Sequence, residues 1–211
     1  DPFKLSITTQ PADLIAGNTF TSAPVVQIQD AWNNPVGSVA SNYAIKADLV
    51  TTDNATVEDD TEAAVTVSGS NDTATFSAIN FSAKGNHKLR ISSTGLVTAL
   101  SNQFAVTSAP AHHLVWVNEG STTVRNGYVV ADAPKLKIVD QFGNPITDGT
   151  TTSVTVTATG ANAADVASID GATATNTTGS EFVEFTNLKL NAKIGAYKLR
   201  FTATNAGRPI N

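Results

Sequence analysis

The chain has 211 residues, and its 18 acidic residues outnumber 13 lysines and arginines, for a formal net charge of −5. That balance, with no basic run, excludes the electrostatic footprint of a nucleic-acid or anionic-lipid binder. Charged residues make up only 15% of the chain, against roughly 25% in an ordinary globular protein. Thr, Ser, Ala, Asn and Val fill the difference, which is the vocabulary of strands and turns rather than helices. Cysteine and methionine are both absent, so no disulfide framework is expected. No apolar run reaches the ~20 residues of a membrane-spanning helix. A start at Asp1 rather than Met reads as a processed or excised chain.

The sequence repeats itself. Residues 24–36, PVVQIQDAWNNPV, return as PKLKIVDQFGNPI at 134–146, and residues 83–91, AKGNHKLRI, return as AKIGAYKLRF at 192–201. Two blocks recurring in one order at one offset predict two copies of a domain, 1–108 and 109–211. Each is of ordinary size for a β-sandwich and large enough to bury a core of its own.

In chain order, Phe3–Ile7 alternates with period two and is broken by Gln10-Pro11. A second strand through Val26, Ile28 and Asp30 ends at the turn Trp32-Asn33-Asn34-Pro35, and Tyr43–Leu49 forms a third. Residues 51–62 are polar and acidic and read as an exposed loop. Short strands follow at Ala64–Val67, Thr73–Ala78 and His87–Ser92, the last with Leu89 and Ile91 inward, and Gln103–Val106 closes the copy. The second copy places strands near His113–Val117, Pro134–Asp140, Ser153–Thr159, Val166–Ile169, Glu181–Thr186 and Ala196–Ala203. Leu5 corresponds to Leu114, Ile7 to Trp116, Phe76 to Phe185, and Ile79 and Phe81 to Leu188 and Leu190. Short strands between Gly, Pro, Asn and Asp turns predict an all-β antiparallel sandwich. The brief link Thr107–Ala111 predicts limited bending between copies. After Phe201 the second copy has no counterpart of the Phe104/Val106 strand, so its sandwich is expected to lack its last strand. Either further chain supplies that strand or another subunit donates it.

The strongest local signal is the repeated Asp-x-aromatic-x-Asn-Pro block: Asp30, Trp32, Asn34 and Pro35, then Asp140, Phe142, Asn144 and Pro145. An Asp that bonds nearby amides, a residue tolerant of left-handed backbone (Asn33, Gly143) and a Pro that fixes the exit make a sharp turn. The aromatic is expected to cover the end of the sandwich. The pattern V-x-D-x-x-G-N-P, followed by a Thr/Val-rich strand and G-x-Y-x-L-x-F, resembles the bacterial Ig-like repeats of invasin- and intimin-type adhesins and of S-layer proteins. The first copy departs from it at Asn33 and His87. The resemblance implies two tandem Ig-like sandwiches of Greek-key topology, on a cell surface or outside the cell. In such sandwiches Tyr197 would be a corner tyrosine bonding back to the chain, with His87 in the equivalent place.

The acidic residues Asp53, Glu58, Asp59, Asp60 and Glu62 offer oxygens for Ca²⁺, but lack the spacing of a calcium loop, and a solvated acidic loop is the simpler reading. Sequons begin at Asn54, Asn71, Asn80 and Asn176 as possible N-glycosylation sites. Adjacent His112 and His113 are expected on opposite faces of a strand, where they cannot chelate one metal. Trp32 and Trp116 are expected in core or end-cap roles, with sugar stacking as the alternative. No nucleophile elbow, phosphate loop or H-E-x-x-H occurs, so no enzyme activity and no cofactor beyond calcium are expected. The expected function is a structural or assembly segment of an S-layer, filament or adhesin, acting through self-assembly or neighbouring domains. A glycan- or protein-binding module is the alternative, and an accessory domain of a polysaccharide-degrading enzyme a further one.

Overall fold

In a computed structural model, residues 1–57 and 63–210 are described. The chain divides into two units, Asp1–Thr107 and Ser108–Asn211. Among the described residues there is no α-helix, only strands, turns and one short 3-10 turn at Ala163–Asp165.

Unit 1 contains β1 (Lys4–Thr9), β2 (Leu14–Ile15), β3 (Val25–Gln29), β4 (Val39–Thr51), β5 (Ala63–Gly69), β6 (Thr73–Thr75), β7 (Gly85–Ser92), β8 (Ala99–Leu100) and β9 (Phe104–Thr107). One sheet has the order β1-β3-β6, the other β2-β9-β7-β4-β5 with β8 also on β7. The β2–β9 pairing is parallel and all others between these strands are antiparallel. Unit 2 contains β10 (His113–Asn118), β11 (Lys135–Val139), β12 (Thr152–Thr159), β13 (Val166–Asp170), β14 (Thr173–Thr175), β15 (Phe182–Glu184), β16 (Lys189–Ala192), β17 (Lys198–Asn205) and β18 (Arg208–Ile210). Its sheets are β10-β11-β15, β14-β12-β17-β18 and the pair β13-β16.

The repeat seen in the sequence extends to strand register. Leu5 lies opposite Ile28 and Ile7 opposite Val26, with a bulge following at Thr9. Leu114 lies opposite Ile138 and Trp116 opposite Leu136, with a bulge following at Asn118. A one-residue slip would turn the inward side chains outward, so matching registers follow from matching apolar positions. The unit 2 core draws Leu136 and Ile138 from β11, Val183 from β15, and Val154 and Val156 from β12, with Phe185 and Leu188 beyond β15. One core shared by two sheets is the arrangement of a β-sandwich. Phe76 and Phe185 are almost fully buried in their respective units, as their correspondence requires.

A strand that was not expected from the sequence follows β17 in unit 2. β17 turns back through Ala206 (φ 49) and Gly207 (φ 78), and β18 pairs with it at Ala203↔Ile210, Thr204↔Pro209 and Asn205↔Arg208. Two successive left-handed residues make the tight hairpin turn whose twist suits antiparallel strands. Pro209 has no N–H to give and sits on the sheet's edge strand, where it is tolerated. The edge is thus started, but not completed. In unit 1, β7 is covered at Arg90 and Ile91 by β8 and again at Gly85–His87 by β9. Among the described residues nothing comparable pairs with the outer edge of β17 between Lys198 and Thr202.

Because Phe185 is at the centre of the unit 2 core and Ile194 is fully exposed, their truncations should separate. Phe185→Ala should cost about 3–5 kcal/mol in urea unfolding, and Ile194→Ala less than about 0.5 kcal/mol.

Candidate functional site

The Asp-x-aromatic-x-Asn-Pro blocks are hairpin ends closed by a carboxylate. In unit 1, Asp30 Oδ1 accepts from the backbone N–H of Trp32 and of Asn34, both at 2.9 Å, and Oδ2 accepts from Asn34 Nδ2 at 3.1 Å. In unit 2, Asp140 Oδ1 accepts from Phe142 N at 2.9 Å and Asn144 N at 2.8 Å, and Oδ2 from Asn144 Nδ2 at 2.8 Å. The backbone closes around them: Asp30 N donates to Asn34 O and Asp140 N to Asn144 O, each at 3.0 Å. Asn33 (φ 72) and Gly143 (φ 85) supply the left-handed residue that a three-residue hairpin loop requires. Asn is the best substitute for Gly there, because its short polar side chain tolerates that conformation. Lys4 Nζ additionally donates to Asn33 Oδ1. Pro35 and Pro145 then lead the chain back beside Gln29 and Val139.

The two carboxylates differ in setting. Asp140 is fully buried, and its Oδ2 also accepts from Ala109 N at 2.9 Å, while Ser108 Oγ donates to Pro145 O at 2.8 Å. It therefore ties the entering segment of unit 2 to the hairpin. Asp30 is partly exposed. Its carboxyl is held below the ordinary 3.8, first by the Asn34 side-chain amide, then by the Asn34 and Trp32 backbone N–H groups, with a small contribution from the N-terminal ammonium; desolvation opposes them.

The aromatics do not cap the sandwiches as expected. Trp32 is 80% exposed and Phe142 42% exposed. With the carboxylate drawing both flanking amides inward, the intervening side chain is left on the outside of the loop. Trp116 is also 42% exposed, although its ring meets Phe201 edge-on at 4.9 Å. Tyr197 bonds back as anticipated, donating to Lys193 O at 2.6 Å. His87 makes the same reach to Ala83 O at 3.0 Å through Nε2. Its Nδ1 is buried without a partner.

Asn176 is a second correction. It is buried, its Nδ2 donates to Thr150 O and Ser180 O, and its Oδ1 accepts from Thr152 N at 2.7 Å. An amide used three ways inside the fold is not presented for glycosylation. Asn54, Asn71 and Asn80 are exposed, and Asn71 Oδ1 accepts from the N–H and hydroxyl of Thr73. His112 and His113 do not face apart: their Nδ1 atoms lie 3.2 Å from each other. His112 precedes β10, so strand alternation does not govern it. Of the acidic stretch, Asp53 is exposed in a turn, while Glu58, Asp59, Asp60 and Glu62 lie outside the described residues. Among the described residues no three His, Asp or Glu side chains gather to hold a metal.

No family model and no curated protein matches the chain. Solved structures with some likeness include a biofilm-associated protein BSP domain (15% identity, TM-score 0.28, 99% of this chain and 28% of that one). Others are E. coli alpha-2-macroglobulin in its native conformation (14%, 0.34, 99% and 14%) and domains 4 and 5 of the S-layer protein SbsC (16%, 0.29, 99% and 96%). The chain thus spans under a third of the first two. Likenesses this low assign no function.

The two carboxylates predict different outcomes. Asp140→Ala should destabilise unit 2 by about 3 kcal/mol, because a buried set of charge-assisted bonds is lost, and Asp30→Ala should destabilise unit 1 by less. Since Asp30 has a lowered folded pKa, its contribution is complete above the ordinary carboxylate value and disappears as pH falls through the folded one. Acid unfolding curves of Asp30→Asn should therefore show a weaker loss of stability below about pH 4 than the parent chain.

Proposed function

We propose that this chain is a non-catalytic structural segment of a cell-surface protein, built from two tandem Ig-like sandwiches of Greek-key topology. Each unit acts as a stiff element whose contacts with neighbours assemble an S-layer, a filament or an adhesin stalk. The observation supporting this reading is the duplication itself. Both units repeat the register of β1–β3 in β10–β11 and the carboxylate-closed hairpin. Duplicated framework with unlike exposed loops suits a scaffold, in which stability is carried by each unit separately. Protease shaving of intact cells that produce the protein should release peptides from both units before lysis. Peptides that appear only after lysis would overturn the surface assignment.

A second reading is favoured by one observation, the 80% exposure of Trp32 at a hairpin tip. A large amphipathic ring held outside the fold is an apt contact for a sugar face or a partner protein. If it is a binding residue, Trp32→Ala should abolish glycan-array or protein binding while leaving the unfolding midpoint of unit 1 unchanged. Retained binding would remove this reading.

A further inference from the structure

Two histidines that strand alternation would set apart meet at the start of unit 2. His113 is the first residue of β10 and lies opposite Val139 of β11. His112, one residue earlier, donates its backbone N–H to Val139 O at 2.9 Å. One β11 residue therefore positions both. The rings stand edge to face, 89° apart with centroids at 5.4 Å, and their Nδ1 atoms approach to 3.2 Å. His112 is exposed and His113 half-buried, so the pair opens to solvent.

The repeat shows that the fold does not need this pair. Leu5 and Leu114 hold the same register position, which puts Phe3 and Lys4 where unit 2 has His112 and His113. Unit 1 makes the same backbone bond there, from Phe3 N to Gln29 O at 2.9 Å, without a histidine. Its Lys4 is committed to the hairpin, donating to Asn33 Oδ1. Unit 2 has Gly143 at that loop position, with no side chain to receive His113, and His113 turns to His112 instead.

The spacing fits a metal. Zinc binds imidazole nitrogen at about 2.0–2.1 Å in tetrahedral geometry, which sets two ligand nitrogens about 3.3–3.4 Å apart. Adjacent ligands in a square plane would stand about 2.8–3.0 Å apart, further from the observed spacing. Ca²⁺ and Mg²⁺ require several oxygen ligands, which two imidazoles do not provide. Arg208 lines the same cleft as His112, and its charge further disfavours a hard cation.

We propose that His112 and His113 chelate one Zn²⁺ through their Nδ1 atoms, with water in the two remaining positions. Within the hydrogen-bonded pair, one Nδ1–H donates to the other Nδ1. On binding, that hydrogen moves to Nε2 of the same ring, so both rings ligate as neutral imidazoles and no proton is released. Two protein ligands supply about half the free energy of a four-ligand structural site, which corresponds to a dissociation constant of roughly 1–100 µM. The inference stands on this pair alone, so its failure leaves the surface assignment untouched.

The test titrates the intact chain with zinc chloride by calorimetry, and repeats the titration by NMR with histidine labelled at its ring nitrogens. One ion per chain should bind and shift Nδ1 of His112 and His113. The ring of His87, buried with Nε2 on Ala83 O, should stay unchanged. His112→Phe, which installs the unit 1 residue, and His113→Gln should each weaken binding roughly tenfold or more, with the unfolding midpoint unchanged. Calcium at about 1 mM should not compete. Full-strength binding by either variant, shifts at Nε2 instead of Nδ1, or no saturation up to about 1 mM would overturn the proposal. So would one ion for two chains, because a second copy would then fill the open positions.

Discussion

A carboxylate that gathers two backbone amides is the constraint from which each unit is laid out. Asp30 and Asp140 stand at the ends of β3 and β11 and fix where each strand reverses. Once the reversal is set, the inward positions of the central strand are set with it, and the pairing partners on both sides follow. That is why the same side-chain bonds recur in both units while the surrounding loops differ. The buried copy adds a further duty, since Asp140 also holds Ala109. An acceptor with several lone pairs can serve both tasks at once. A neutral, single-oxygen side chain could not.

Much of this was readable from residue order. Alternation located the main strands to within a few residues, and the spacing of the two repeats gave the correspondence of Leu5 with Leu114 and Phe76 with Phe185. The back-bond of Tyr197 was legible from its corner position, whereas His87, expected only to pack at the equivalent place, makes the same reach to a carbonyl four residues earlier. Elements failed to show where their signal is weak. β18 is three residues long and contains Pro209, which argues against a strand unless the edge position is known. Ala206 also gives no hint of its left-handed backbone.

The side chains at the hairpin tips misled for a different reason. Apolar character predicts burial on average, but Trp32 and Phe142 are governed by local geometry. The Asp bonds to their own and neighbouring amides fix the loop before packing can act. Asn176 erred in the other direction. A sequon records only a three-residue pattern, while the bonds that bury this amide come from Thr150, Thr152 and Ser180. Contacts that a side chain makes with residues outside the motif leave no trace in it.

The two units also serve as controls for one another. Along β7 the inward residues His87, Leu89 and Ile91 are all buried. At Tyr197, just before β17, and at Leu199 and Phe201 along it the side chains are half-buried, and only Ala203, beside Ile210 of β18, is fully buried. Burial thus follows coverage of the edge, strand position by strand position, rather than the apolarity of the sequence. Completely burying a side chain of this size is worth about 1.5–3 kcal/mol, so three half-buried ones leave on the order of 3 kcal/mol unrealised in unit 2. Any strand that reaches the open edge gains that burial in addition to its own backbone bonds.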